Sequence, residues 1–287
     1  MRVRTLPGVS GLQVLGALQS AAMVFVNLRG MATDASVLQT ELVKATHEQI
    51  AAFGYVLPPT EIERLLTTQR YWAAASFDGA GRPRALNAML STEIDDKVRA
   101  LNAAVAEVSA HCEMWNDVEH LLVPDTNVLL QHPRSFPNVP WNAIVPVGRR
   151  HVTLGLPIVV VDELDRAKFR TDKVMNSDER VRLRAGRTLR VLERLLNGTL
   201  TSPLTAGEVE ITVRVLDAEW DRERTGTPDQ QIIGAAIDAR DAGEVPTTLV
   251  SDDLGMRLRA ATAGLSAVES PANSNNVDAD DPELPRG

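Results

Sequence analysis

Leu121-Leu122-Val123-Pro124-Asp125-Thr126-Asn127-Val128-Leu129-Leu130 is the stretch on which the fold turns. An apolar run ends abruptly in an aspartate, a polar Thr-Asn step follows, and a second apolar run begins. This reads as a buried strand that delivers Asp125 to its C-terminal end, with a helix or loop starting just beyond. A carboxylate in that place is a candidate functional group, because open parallel sheets hold ligands outside the carboxyl ends of their strands.

Outward from Asp125, the C-terminal half alternates strands and helices. Pro157 to Val161 reads as a second buried strand, rich in β-branched residues, and Asp162-Glu163-Leu164-Asp165 opens a helix. Asp178 to Leu196 predicts a long helix ended by Asn197-Gly198. Val209 to Leu216 alternates as a strand. Thr227-Pro228-Asp229 opens a helix running to Ala242-Gly243. Thr247 to Val250 is a strand followed by Ser251-Asp252-Asp253, then a helix over Leu254 to Ala261 and a short strand over Ser266 to Val268. His132 to Val152 reads as loop, with a short structured piece over Ala143 to Val147. The alternation argues for a parallel sheet with right-handed crossovers.

The N-terminal part has a different character. Apolar residues recur at spacings of three and four over 10–30 and over Leu38 to Phe53. A third helix is expected from Thr60, as the cap, through Leu65, Leu66 and Trp72 to Ser76. A long fourth is expected from Ser91, with Thr92 as cap, to Trp115. The expected organisation is an all-helical region over residues 1–116, an α/β domain over 117–269 and a disordered acidic tail over 270–287.

Composition narrows the function. The 287 residues are 44% hydrophobic and 24% charged, ordinary for a globular protein, with a formal net charge of -8. Such an acidic chain does not coat nucleic acid in bulk, so any contact with it needs a local basic patch or metal ions. Cys112 is the single cysteine, which excludes an intrachain disulfide and a cysteine-built zinc cluster and fits a cytoplasmic location. Met1-Arg2-Val3-Arg4 before an apolar-leaning stretch resembles a targeting signal. Gln13, Gln19, Ser20 and Asn27 interrupt that stretch, and it reads as a core helix rather than a membrane span.

A parallel sheet puts its strand C-termini on one edge, so Asp125, Glu163 and Asp253 should meet there. Asp229, at a helix N-terminus, faces the same edge. Gathered carboxylates repel: two unit charges 4 Å apart cost about 4 kcal/mol at an effective dielectric of 20. They need shifted pKa values or a counter-cation. All-oxygen ligation favours Mg²⁺ or Mn²⁺ over zinc. Such a site activates water against a phosphoryl group. Asp125 and Asp229 could instead merely cap helices. Asp162 and Asp165 read as solvated or capping. Asn127, Ser251 and Asp252 could orient ligands through hydrogen bonds or simply make turns. His111, His120, His132 and His151 lack spacing partners.

Taken together, Val-Pro-Asp125-Thr-Asn127, Val-Asp-Glu163-Leu-Asp, Pro-Asp229-Gln-Gln-Ile-Ile and Leu-Val-Ser251-Asp-Asp253-Leu resemble a PIN domain over roughly residues 119–268. The resemblance implies a Rossmann-like α/β/α sandwich with a central parallel sheet, and metal-dependent endoribonuclease chemistry. It assigns the family's acids to Asp125, Glu163, Asp229 and Asp253, which would be both catalytic and metal-binding, with RNA as substrate. Two departures stand out. Ser251-Asp252-Asp253 replaces the commoner Thr-Asn-Asp, and Gln230-Gln231 follows Asp229 where Asp-Arg-Ile is common.

A second signal lies between Arg180 and Arg194. At 100° per residue, Arg180, Arg184, Arg187, Arg190 and Arg194 share one arc, opposite Val181, Ala185, Leu189, Leu192 and Leu196. The stripe is either a solvated face or a track for phosphates. Arg166, Lys168, Arg170 and Lys173 extend the basic region upstream. Three functions compete: a nuclease, a non-catalytic nucleic-acid-binding or protein-interaction module, and a phospho-acceptor domain. The last lacks the acidic pair and lysine such domains carry. The helical region could select substrate, mediate self-association into a homodimer or cover the site, and the chain could also take an inhibitory protein partner.

Overall fold

The computed structural model describes residues 3–31, 34–132, 134, 136, 138–145, 148–174, 179–197, 199, 201–206, 209–216 and 226–271. From residue 272 on, the expected tail lies outside them. The chain divides into two compact units, Met1–Asn116 with Asp241–Glu244, and Asp117–Arg240 with Val245–Gly287.

The first unit is built from α1 (Gly11–Arg29), α2 (Ala35–Phe53), α3 (Pro59–Leu66), α4 (Gln69–Ala75) and α5 (Pro83–Glu113). Ser10 and Gln13 close a reciprocal capping box at the start of α1. By length and composition α1 could cross a membrane. Its Val14, Leu18, Ala21 and Phe25 are fully or almost fully buried in the helical core, which fits the core-helix reading. Two expectations need correction. The third helix is two helices, because Thr68 accepts a hydrogen bond from the Tyr71 amide at 3.1 Å and starts α4 afresh. Trp72 is then half exposed and Tyr71 takes the buried place. The long helix starts at Pro83, whose ring suits a first turn. Thr92 is interior and donates back to the Ala88 carbonyl at 2.9 Å.

A buried ion pair serves the break between α3 and α4. Lys97 Nζ lies 2.9 Å from Glu93 Oε1, both side chains almost wholly buried. The ammonium also donates to the carbonyl of Leu66, the last residue of α3, whose oxygen has no partner within its own helix. It stands 4.7 Å from the centre of the Tyr71 ring. Glu93 accepts from the Thr68 hydroxyl at 3.2 Å. The pair thus caps one helix end and steadies the next one's start.

The second unit holds a six-stranded sheet of β1 (His120–Pro124), β2 (His151–Pro157), β3 (Thr201–Ala206), β4 (Val209–Leu216), β5 (Thr247–Val250) and β6 (Ser266–Val268), in the order β3-β4-β2-β1-β5-β6. Every pairing is parallel except β3 with β4. Between the strands run α6 (Thr126–Gln131), a 3₁₀ turn (Trp141–Ile144), α7 (Ile158–Ala167), α8 (Val181–Leu196), α9 (Pro228–Gly243) and α10 (Leu254–Thr262). This is the expected α/β architecture, with one antiparallel edge strand that the sequence pattern did not reveal. Pro203 suits that edge, where its missing N–H breaks no inner ladder.

The second strand is displaced from its expected place. It spans His151–Pro157, and Ile158-Val159-Val160-Val161 belongs to α7. Val159, Val160, Leu164 and Ala167 are buried along α7 at helical spacing, so packing overrides the strand preference of the β-branched run. Gly155 obscured the true strand. A Cβ there would come within 2.8 Å of the Leu216 side chain and 2.9 Å of Leu121, so the strands flanking β2 close over a residue without a side chain.

The Glu93–Lys97 pair makes a stability prediction. Glu93→Ala should lower unfolding free energy by about 3–5 kcal/mol, because it strands a buried ammonium. A Glu93→Gln/Lys97→Met double variant should recover most of that loss in urea titrations. Equal losses in both variants would mean that packing, not the stranded charge, sets the cost.

Candidate active site

The chain runs outward from β1 in two directions. Going from β1 to β2 to β4 it moves one way across the sheet, and with β5 and β6 it moves the other. The C-terminal ends of β1 and β5 therefore flank a topological switch point, where such sheets open a crevice. Asp125 and Ser251 are the residues just beyond those ends. The Asp125 amide continues the ladder to the Val250 carbonyl at 2.9 Å.

Asp125 is buried, only 5% exposed. Its Oδ1 accepts the Asn127 amide at 2.8 Å, as a cap of α6. Its Oδ2 accepts the hydroxyl of fully buried Ser251 at 2.7 Å. Ser251 Oγ in turn accepts the Asp253 amide at 3.1 Å. Burial raises the Asp125 pKa above the ordinary carboxylate value, and repulsion from Asp229 and Glu163 adds to it. The hydrogen bonds from Asn127 and Ser251 act in the opposite direction. The two readings of Asp125 are thus both physical: it caps a helix and it also feels two neighbouring acids.

Asp125, Glu163 and Asp229 line one cavity of about 260 Å³ together with Thr126, Asn127, Leu130, Arg166, Ala167 and Arg170. Glu163 reaches it from the second turn of α7, not from a loop after a strand. Its Oε2 accepts the Thr126 hydroxyl at 2.5 Å, which ties α7 to the start of α6. Asp229 enters from the first turn of α9 and pairs with Arg259. Both partners are roughly half exposed, at 49% and 40%, so this bond is a weak one that solvent competes for.

Asp253 does not join them. It is exposed, and its Oδ1 accepts the amides of Gly255 and Met256 at 2.7 and 3.3 Å, as the cap of α10. The reason is local: Ser251 takes the inward place after β5, and two residues later the chain has already turned into a helix. Asp252 also turns away. Its carboxylate accepts the Ser270 amide at 2.9 Å and the Ser270 hydroxyl at 3.0 Å, fastening the segment after β6. Of the residues expected to orient the acids, Ser251 bonds Asp125 through its side chain, while Asn127 lines the cavity and bonds through its backbone.

The arginine stripe is not one surface. Arg180 precedes α8 and is exposed, as are Arg187, Arg190 and Arg194. Arg184 is 4% exposed, with Nε 2.7 Å from Glu179 Oε2 and Nη1 2.8 Å from the His132 carbonyl. A buried, fully engaged guanidinium is part of the core and cannot meet a phosphate. Helical angle alone did not reveal this, because Glu179 and His132 lie outside the helix. Thr126 went unnoticed in the sequence, and Arg166 and Arg170, read there as part of a basic region, line the acidic cavity itself. The spacing of Glu163, Arg166 and Arg170, at three and four residues, was the available signal, although Arg170 lies just past the end of α7.

The donors around the cavity are all oxygens, without His or Cys, which suits a hard cation. Among the described residues no three Asp, Glu, His or Cys side chains stand close enough to grip one ion as they are placed. Mg²⁺ is commonly held by one or two carboxylates with water completing its shell, so this donor set fits a loosely enclosed hydrated ion.

Comparison with known proteins agrees with this geometry. The PIN domain family's model matches residues 122–270, just over half of the chain, and the chain belongs to that family. The fold is thus of nuclease type. The chain is also 32% identical over 156 residues to Protein PhoH2 of Thermobispora bispora, a match covering 51% of this chain and 31% of that protein. It therefore spans under a third of that relative's length.

The raised pKa of Asp125 fixes a pH dependence. Its folded state favours the proton more than the unfolded chain does, so the ionised carboxylate costs stability above the raised pKa. That cost fades as pH falls through it toward the ordinary carboxylate range. In chelator, Asp125→Asn should exceed the wild type in stability at neutral pH, with the gap closing at acid pH. A less stable variant at neutral pH would show that the hydrogen bonds to Asn127 and Ser251 outweigh the cost of burial and the repulsion together.

Proposed function

We propose that the protein is a metal-dependent endonuclease acting on RNA. The observation that carries the reading is a buried carboxylate, Asp125, repelled by Glu163 and Asp229 in one open cavity at the sheet's switch point. A carboxylate whose charge is penalised first by burial and further by two neighbouring acids suits a site that receives a cation. In this reading Asp125, Glu163 and Asp229 hold Mg²⁺ or Mn²⁺. When bound, the ion supplies Lewis acidity toward a phosphodiester and lowers the pKa of water. Asp253 keeps its capping role and is left out of the catalytic set. The single cysteine suits a reducing cytoplasm.

The chain's own residues have separable tasks. Ser251 and the Asn127 amide fix both oxygens of Asp125, so its remaining lone pairs face the cavity in one orientation. Thr126 does the same for Glu163. Arg259 holds Asp229 through a bond exposed enough to be exchanged. Such preset orientation matters because misplacement of about 1 Å costs on the order of a hundredfold in rate.

The pairing of Asp229 with Arg259 favours one alternative, a module that binds RNA without cleaving it, since an acid already neutralised attracts a cation less. Labelled RNA incubated with Mn²⁺ separates the two. The nuclease reading expects chelator-sensitive cleavage, and a fall of about a hundredfold or more in kcat for both Glu163→Gln and Asp229→Asn. Binding without cleavage by the wild type, across Mg²⁺ and Mn²⁺, would establish the module instead.

A further inference from the structure

We infer that the C-terminal end of α7 forms a strand-anchoring subsite beside the acidic cavity. Phe169 stacks on an unpaired base of the substrate there, and Arg166 contacts a neighbouring phosphate. The inference rests on the nuclease reading above and adds residues which that reading does not use.

Phe169 is 82% exposed. A single exposed apolar residue is ordinary, and the surroundings of this one are what matter. Arg166 and Arg170, which bracket it in sequence, both line the cavity that holds Asp125, Glu163 and Asp229. Beyond α7 the backbone keeps turning tightly. The Phe169 amide donates to the Arg166 carbonyl at 3.2 Å, and the Arg170 amide to Ala167 at 3.1 Å. Phe169 is therefore carried on a hydrogen-bonded turn between two residues that line the cavity, without lining it itself.

The nearby charges divide clearly. Lys168 is paired with Asp165 at 2.5 Å. Arg170 is held by both oxygens of Asp172, at 3.1 and 2.7 Å. Arg166 has neither a side-chain hydrogen bond nor an ion pair among the described residues, although it shares its cavity with three acids. A guanidinium left unpaired among the described residues, three positions before an exposed ring, matches single-stranded nucleic acid. The phosphate meets the cation and the base meets the π-face, with little dependence on sequence. A duplex offers no free base face to such a ring.

The test uses the full-length protein in chelator, where cleavage is off, with a fluorescein-labelled single-stranded RNA. Phe169→Ala should weaken binding by roughly five- to a hundredfold, the loss of one base–aromatic stack. Phe169→Trp should bind at least as well as the wild type, and Phe169→Leu, apolar but without a π-face, should not. Arg166→Ala should reduce the slope of log affinity against log salt by about 0.7. In an oligonucleotide scanned with 2-aminopurine, one position should be quenched by the wild type and not by Phe169→Ala. If the wild type binds and cleaves RNA while Phe169→Ala keeps its affinity and its quenching, the subsite falls and the nuclease reading stands. If Phe169→Leu restores binding, the contact is merely apolar and stacking is wrong. If the wild type self-associates and Phe169→Ala does not, the ring meets a second copy. If the wild type cleaves RNA with Mn²⁺ yet binds none in chelator, the subsite falls alone, and if it neither binds nor cleaves RNA with Mn²⁺ restored, both readings fail together.

Discussion

A carboxylate buried at the junction of two strands is the constraint around which the α/β unit is built. Asp125 can sit there only because fixed donors meet both oxygens, the Asn127 amide on one and the Ser251 hydroxyl on the other. Those donors exist because β1 and β5 are neighbours and end together, with Pro124 opposite Val250. The strand order thus has an electrostatic consequence. It brings an acid and a buried hydroxyl together from opposite ends of the domain, at the place where the crossovers diverge. The hydrogen bonds do not cancel the cost of burying the charge, to which Asp229 and Glu163 add repulsion, since the Asp125 pKa stays raised. A folded protein can retain such a cost only as a modest fraction of its total stability.

The helical unit solves a comparable problem differently. Its buried ion pair is internally complete: Lys97 and Glu93 meet each other, a helix-end carbonyl and a capping hydroxyl. The contrast between the two units is informative. One holds a closed ionic network that fixes helix ends. The other holds an open set of acids beside an arginine that is unpaired among the described residues. The chemistry of the molecule is therefore read from the second.

Much of this was legible in the sequence. Asp125 was found because an apolar run that stops at a single acid marks a buried strand reaching the edge of its sheet. Asp229 was found because Thr-Pro-Asp marks a helix start. Glu163 follows a β-branched run that reads as a strand, yet it lies within a helix and the run belongs to that helix too. The true strand, interrupted by Gly155, owes its place to Leu121 and Leu216 closing over it, which is a tertiary fact. Asp253 shows the limit of counting acids after strands. Which residue of Ser251-Asp252-Asp253 points inward depends on where the turn begins, and the serine took that position. Arg184 shows the limit of helical angle, since its partners lie outside its own helix.

On the proposed function, a divalent cation would be held by Asp125 and its cavity neighbours, and not by the acid that caps α10. Calorimetric titration of Mn²⁺ into the wild type, Asp125→Asn and Asp253→Asn tests it most directly, since asparagine caps a helix about as well as aspartate and so spares the α10 cap. Asp253→Asn should bind as the wild type does, and Asp125→Asn should lose most of the affinity. Undiminished binding by Asp125→Asn, or its loss in Asp253→Asn with the fold intact, would contradict it.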